Sequence, residues 1–298
     1  MTATTTLTSS PRPADATTGR HVTQVVVGRA VSDGDGVKLK RVIGQPSLDM
    51  LDPFLMLDEF GSDDPGAYIG GFPAHPHRGF ETVTYMLAGR MRHADNAGHK
   101  GVLVPGGVQW MSAGRGIIHE EMPEQTEGLM RGFQLWVNLP AAEKMARPAY
   151  REFGPESIPA AALPGDAGTV KVIAGEVFGT TGPVAGVASD PLYVDIELVP
   201  GGEVELPVPA GHTAFLYVYD GALIAGMGEA ARPLGTARLA VLGGDGGLGL
   251  ANASDQPARA ILVAGRPIGE PVARYGPFVM NTEAEIIQAI DDYRRGRF

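Results

Sequence analysis

Two short patterns carry side chains that can do chemistry together: His75-Pro76-His77, and His119-Glu120-Glu121 further along the chain. Residues i and i+2 of a strand point to the same side of a sheet, so each pattern presents a same-facing pair. If both pairs face one interior, four metal ligands converge. Three imidazoles with a carboxylate suit Fe, Mn, Ni, Cu or Zn, whereas an all-oxygen calcium or magnesium site needs no histidines. Four protein ligands on an ion that accepts six leave two positions for water, dioxygen or a chelating substrate, the arrangement that oxygenase chemistry requires. Either pair alone is better read as a polar strand face, and it is their co-occurrence in one barrel-like half that favours a metal site. Glu81 competes with Glu121, as a carboxylate a few residues after the H-x-H pattern that is followed by a strand and a glycine.

The elements that must position these residues read as strands. Of the 298 residues, 42 are glycine and 24 proline, a composition that favours many short strands and tight turns over long helices. The length exceeds that of one ordinary core and predicts two domains. With no cysteine, disulfides, thiolate metal sites and thiol redox switching are excluded, so any redox role must use a bound metal. There are 24 basic and 34 acidic residues, a net charge of −10, which disfavours direct binding of nucleic acid. No apolar run is long enough to span a bilayer, and the opening residues lack the apolar core of a signal peptide, so a cytoplasmic protein with no membrane partner is expected.

Along the chain, residues 1–20 read as a flexible tail rich in Thr, Ala, Ser and Pro, and 21–140 as a first, metal-binding barrel. The Ala- and Pro-rich stretch 141–169 reads as a linker, and 170–298 as a second barrel. FETVTYMLAG, ending at Gly89, resembles HTAFLYVYDG, ending at Gly221, and Val104–Gly107 (VPGG) resembles Val241–Gly244 (VLGG). This approximate duplication sets His75 and His77 opposite Pro207 and Pro209, and His119 and Glu121 near Gln256 and Ala258, so the second copy lacks all four ligands. One helix is predicted near the end, where Thr282 and Glu285 form a capping box and Ile286, Ala289, Ile290 and Tyr293 share a face.

Other residues have plainer readings. His93 and His99 lie in a polar stretch where solvent exposure is the default, although such a loop can overhang a barrel mouth. His212 reads as a turn or core histidine. Trp110, Met111 and Phe133 are candidates for an apolar pocket or for plain core. Arg78 and Arg115 adjoin the ligand strands and can pair with nearby acids.

The segments His75–Tyr85 (HPHRGFETVTY) and Gln109–Glu121 (QWMSAGRGIIHEE), with LDPFLMLDEF and GEPVARYGPFVMNTEAEI, resemble the pirin family of the cupin superfamily. That resemblance implies a mainly β bicupin: two tandem antiparallel β-barrels of the double-stranded β-helix type with a short C-terminal helix. Glu81 sits where the usual first cupin motif has its carboxylate, but the pirin pattern assigns the metal to His75, His77, His119 and Glu121 and leaves Glu81 outside the ligand set. The second motif also departs from the usual cupin form, because Trp110 stands where a histidine follows PxG. The resemblance further implies one divalent ion, Fe(II) first, with Mn, Ni, Cu or Zn as alternatives. It also implies a quercetin 2,3-dioxygenase-like activity, cleaving a flavonol such as quercetin with O2 to a depside and carbon monoxide, with Glu121 as the base for the 3-hydroxyl. The other use of this family is a metal- and redox-dependent regulator that binds a protein partner in transcription.

Overall fold

A computed structural model describes residues 19–298, and the tail expected over residues 1–20 lies outside them except for Gly19 and Arg20. Each half of the chain folds as a wide sheet facing a narrow one, with all pairings antiparallel. The first wide sheet has seven strands in the order Ala149–Phe153, Val108–Ser112, Phe80–Ala88, Met130–Asn138, Phe54–Ser62, Val37–Ile43 and Arg29–Asp33. Its narrow partner has four, in the order Phe72–His77, Ile117–Pro123, Met91–Asp95 and Lys100–Leu103. The second wide sheet repeats that plan with seven: His21–Val27, Arg238–Gly243, Thr213–Asp220, Ala258–Gly265, Leu192–Leu198, Gly168–Ala174 and Ala160–Ala162. Its narrow partner again has four, Glu203–Leu206, Leu248–Ala251, Ala222–Ala225 and Arg232–Gly235.

Three outer strands differ from the sequence-based reading. His21–Val27, expected to open the first barrel, pairs with Arg238–Gly243 of the second wide sheet. The stretch read as a linker contains Ala149–Phe153, which pairs with Val108–Ser112 of the first, and Ala160–Ala162, which pairs with Gly168–Ala174 of the second. The second wide sheet thus takes one edge strand from the first half of the chain, and each wide sheet takes another from the stretch between the barrels, because an open sheet edge leaves backbone donors and acceptors that another strand can satisfy.

The repeat is confirmed with its register corrected. The counterpart of Ile117–Pro123 is Leu248–Ala251, whereas Gln256 lies in the following turn and Ala258 opens the next strand. The alignment slips because VPGG forms the turn before Val108–Ser112, while the matching letters VLGG end the strand Arg238–Gly243 and enter the turn after it. Letter identity paired two turns that occupy different places in the barrel.

Period-two alternation separates the faces of the wide strands. Val83, Tyr85, Phe133, Leu135 and Val137 pack with Tyr193, Phe215, Tyr217, Ile261 and Val263 in a core between the two wide sheets. The opposite faces line the barrels. The interior of the second barrel is filled by aliphatic side chains such as Val172, Val194, Leu216, Leu248 and Leu262. The first barrel has an apolar end built on Leu39, Phe60, Met86 and Met130, and a polar end described below.

The predicted helix spans Glu283–Arg294. Both capping-box bonds form: Glu285 N donates to Thr282 Oγ1 at 3.3 Å and Thr282 N donates to Glu285 Oε2 at 2.8 Å. Ile286 and Ala289 pack with Phe278 and Met280 of the hairpin formed by Ala273–Tyr275 and Phe278–Met280. That hairpin lies against the first barrel, since Arg78 bridges to Phe278.

Candidate metal centre

The narrow sheet of the first barrel brings the histidines together. His119 stands directly opposite His75, two residues from His77 on the same face. The ring centroids are 4.4 Å apart for His75 and His119, 4.7 Å for His75 and His77, and 4.8 Å for His77 and His119. One ring nitrogen from each falls within 4.8 Å of the others, a group that can hold a metal ion.

The donor chemistry fits. His75 Nδ1 donates to the Pro73 carbonyl at 2.8 Å, because a carbonyl only accepts, and this leaves Nε2 with its lone pair. His77 Nδ1 and His119 Nε2 are buried without a hydrogen-bond partner. Burial holds the His77 imidazolium well below its usual range, with His119 and His75 adding to the effect. Burial likewise lowers His119 to about 4, against an opposing pull from Glu121. Neutral imidazoles with unsatisfied nitrogens are what a divalent ion requires.

Glu121 lies one residue pair beyond His119, past a bulge in the pairing with Phe72–His77. Its carboxylate is not in the histidine group: Oε1 accepts from Thr84 Oγ1 at 3.0 Å and Oε2 from Gln134 Nε2 at 2.7 Å. Glu81 is ruled out as a partner of the histidines by the parity of its strand. It shares a face with Val83 and Tyr85, which point to the core between the sheets, while Thr84 on the opposite parity reaches Glu121. Burial raises Glu81 to about 7.

A cavity of about 600 Å³ opens onto His75 and His77 and is walled by Gln134, Trp136, Arg274 and Pro277. The Trp136 ring lies 5.3 Å from His77 and 4.3 Å from Phe80. The roof is the hairpin of residues 273–280, tied down by an ion pair between Arg274 and Asp49. Trp110 and Phe133, weighed as pocket residues, belong to the core between the sheets, and Met111 packs with Ala113 and Ile117.

His93 is buried on the strand Met91–Asp95 with Nε2 2.7 Å from Glu152, not exposed in a loop, whereas His99 is exposed. Arg78 pairs with Asp292 at 2.9 Å and lies under the Phe298 ring, so the C-terminal helix is latched to the ligand strand. Arg115 is exposed, and His212 lies in a turn with Nε2 2.9 Å from the Asp190 carbonyl. Thr84, Gln134 and Trp136 went unnoticed in the sequence. The signal was there in part, since Thr82, Thr84 and Gln134 are polar residues at alternate positions of otherwise apolar strands.

In the second barrel the matching strands read EVEL and LGLA and present no histidine. Residues 36–137 match the pirin family model, and 193–298 match the model of the pirin C-terminal cupin domain. The chain belongs to the pirin family. A pirin-like protein of Caulobacter vibrioides is 53% identical over 280 residues, covering 94% of this chain and 99% of the relative. Human pirin is 44% identical over 279 residues, with 93% of each chain covered. Among solved structures, a quercetin 2,3-dioxygenase from Acinetobacter baumannii superposes with a TM-score of 0.85 at 34% identity, covering 94% of this pirin and 98% of that chain. No helix of this pirin, among the described residues, is long and apolar enough to cross a membrane.

Proposed function

We propose that this pirin holds one divalent ion, Fe(II) first and Mn, Ni, Cu or Zn as alternatives, through His75, His77, His119 and Glu121, and uses it to cleave a flavonol such as quercetin with O2. The observation that carries the reading is the convergence of His75, His77 and His119, two of them with a buried ring nitrogen that has no partner, at the end of a cavity of about 600 Å³. That volume falls in the range of small-molecule sites. When bound, the ion supplies Lewis acidity and a route for electron redistribution.

The remaining roles belong to the chain. The apolar faces of Trp136, Leu55 and Val279 exclude water and offer flat walls to a planar aromatic ligand. Glu121, held by Thr84 and Gln134, takes the proton of the flavonol 3-hydroxyl. O2 then adds across the ring, both oxygen atoms enter the depside, and the bridging ring carbon leaves as carbon monoxide. The relationship to the Acinetobacter baumannii quercetin 2,3-dioxygenase supports the choice of substrate.

The test is anaerobic purification with elemental analysis, followed by oxygen uptake on adding quercetin to the iron-loaded protein. Uptake that stops on chelation, returns with iron and is absent from His75→Ala and His119→Ala supports the dioxygenase. Unchanged uptake in those variants refutes the site. A loaded metal with no uptake turns the reading to a metal-dependent regulator that acts on a protein partner.

A further inference from the structure

Tyr150 comes from the stretch 141–169 that the sequence presents as a linker. It sits on the strand Ala149–Phe153, opposite Met111, which in turn stands opposite Thr82. Side chains of directly paired residues share a face, so Tyr150 enters the interior of the first barrel. Its phenolic oxygen lies 3.3 Å from His119 Nδ1. Two histidines stack on the ring: His93 at 5.6 Å and 12°, and His99 at 5.6 Å and 28°.

The stack itself is anchored. His93 is buried and its Nε2 lies 2.7 Å from Glu152 Oε2, while His99 Nδ1 lies 2.7 Å from Asp95 Oδ2. Gly101 leaves room for this packing, since a Cβ there would meet Glu152 Oε2 at 2.5 Å and His93 Nε2 at 2.6 Å. Burial raises the Tyr150 hydroxyl above its ordinary range and keeps it a neutral phenol. The His119 ring has two nitrogens, and with Nδ1 turned to Tyr150 the other, Nε2, is buried without a partner.

We infer that Tyr150 is the positioning residue for His119: its phenolic oxygen accepts the Nδ1 proton, which fixes the tautomer and aims the Nε2 lone pair at the metal. The inference rests on the reading of His119 as a metal ligand. A metal-bound histidine donates its second N–H to an outer partner, and losing that partner typically weakens metal binding by about 10–100-fold. The outer partner here is supplied by a strand beyond the barrel's own half, so docking of that strand and metal affinity are coupled.

The test uses the full chain, Co(II) as the probe, competition with a chromophoric chelator for affinity, and the visible Co(II) spectrum for ligand geometry. Tyr150→Phe keeps a ring to stack with His93 and His99 and deletes only the oxygen. It is expected to weaken Co(II) by about 10–100-fold and to shift the spectrum, with the melting temperature of the metal-free protein unchanged. Tyr150→Leu, which also loses the stacking, is expected to weaken Co(II) at least as far. Wild-type affinity and spectrum in Tyr150→Phe, or wild-type affinity in Tyr150→Leu, overturn the inference. His119→Ala separates the two readings: loss of Co(II) there with no effect in Tyr150→Phe sinks only the role of Tyr150, whereas wild-type binding in His119→Ala removes the metal site itself.

Discussion

Thr84 and Gln134 stand directly opposite each other on neighbouring strands of the first wide sheet, and each donates to a different oxygen of Glu121. The pair fixes a buried carboxylate next to the histidine group without neutralising it, because both donors are uncharged. The Asp58 carboxyl lies opposite Gln134 on the other side but is engaged by Arg41 at 2.8 and 3.0 Å, so it does not compete for the amide.

Replacing Gln134 by Leu removes one of those donors at nearly constant volume. A hydrogen bond to a charged group contributes about 1.5–3 kcal/mol. The expected result is metal binding weakened by roughly tenfold to a hundredfold. Competition against a chelator measures it, and wild-type affinity in Gln134→Leu would show that Glu121 needs no such support.

Glu81 gives the fold a pH dependence whose sign follows from burial. Its folded-state pKa is raised from 4.5 to about 7. Between these values the unfolded chain releases the proton while the folded chain keeps it, so stability is fully present below about pH 4.5, falls as pH rises to about 7, and is flat above. The loss is on the order of 3 kcal/mol at 1.36 kcal/mol per unit. Glu81→Gln is expected to flatten this part of the profile in urea unfolding between pH 5 and 8, with metal content unchanged.

Lys144 is buried and donates to the Gly79 carbonyl at 2.7 Å, Asn138 Oδ1 at 2.6 Å and the Val279 carbonyl at 3.1 Å. It ties the turn after the ligand strand Phe72–His77 to the roof hairpin. Lys144→Met leaves three acceptors unsatisfied, each costing about 1–3 kcal/mol. A markedly lower midpoint of denaturant unfolding is expected, and an unchanged midpoint would remove the tie from the account.

The second barrel separates stability from chemistry. Leu216 is fully buried among its aliphatic side chains. Leu216→Ala is expected to lower stability by about 2–5 kcal/mol. Below the melting temperature its metal stoichiometry should equal that of the wild type; a proportionate loss of metal would show that the second barrel reaches the site.

What the chain reveals on its own is what one strand or one helix turn decides. His75 with His77 share a face because strand side chains alternate with a period of two, and this holds wherever the strand lies. The capping box of Thr282 and Glu285 is legible because its two bonds join residues three apart. The exclusion of Glu81 needed the pairing of its strand with Val108–Ser112 and Met130–Asn138, since alternation says which residues share a face but not which face meets the barrel interior. Tyr150 and the strand His21–Val27 were hidden for a related reason. Their partners lie 39 and about 200 residues away in the chain, and an edge strand joins whichever open sheet edge the folded chain brings beside it. Local periodicity determined the ligands' spacing; closure of the sheets decided which residues surround them, because backbone pairing between distant strands is satisfied only in the assembled barrels.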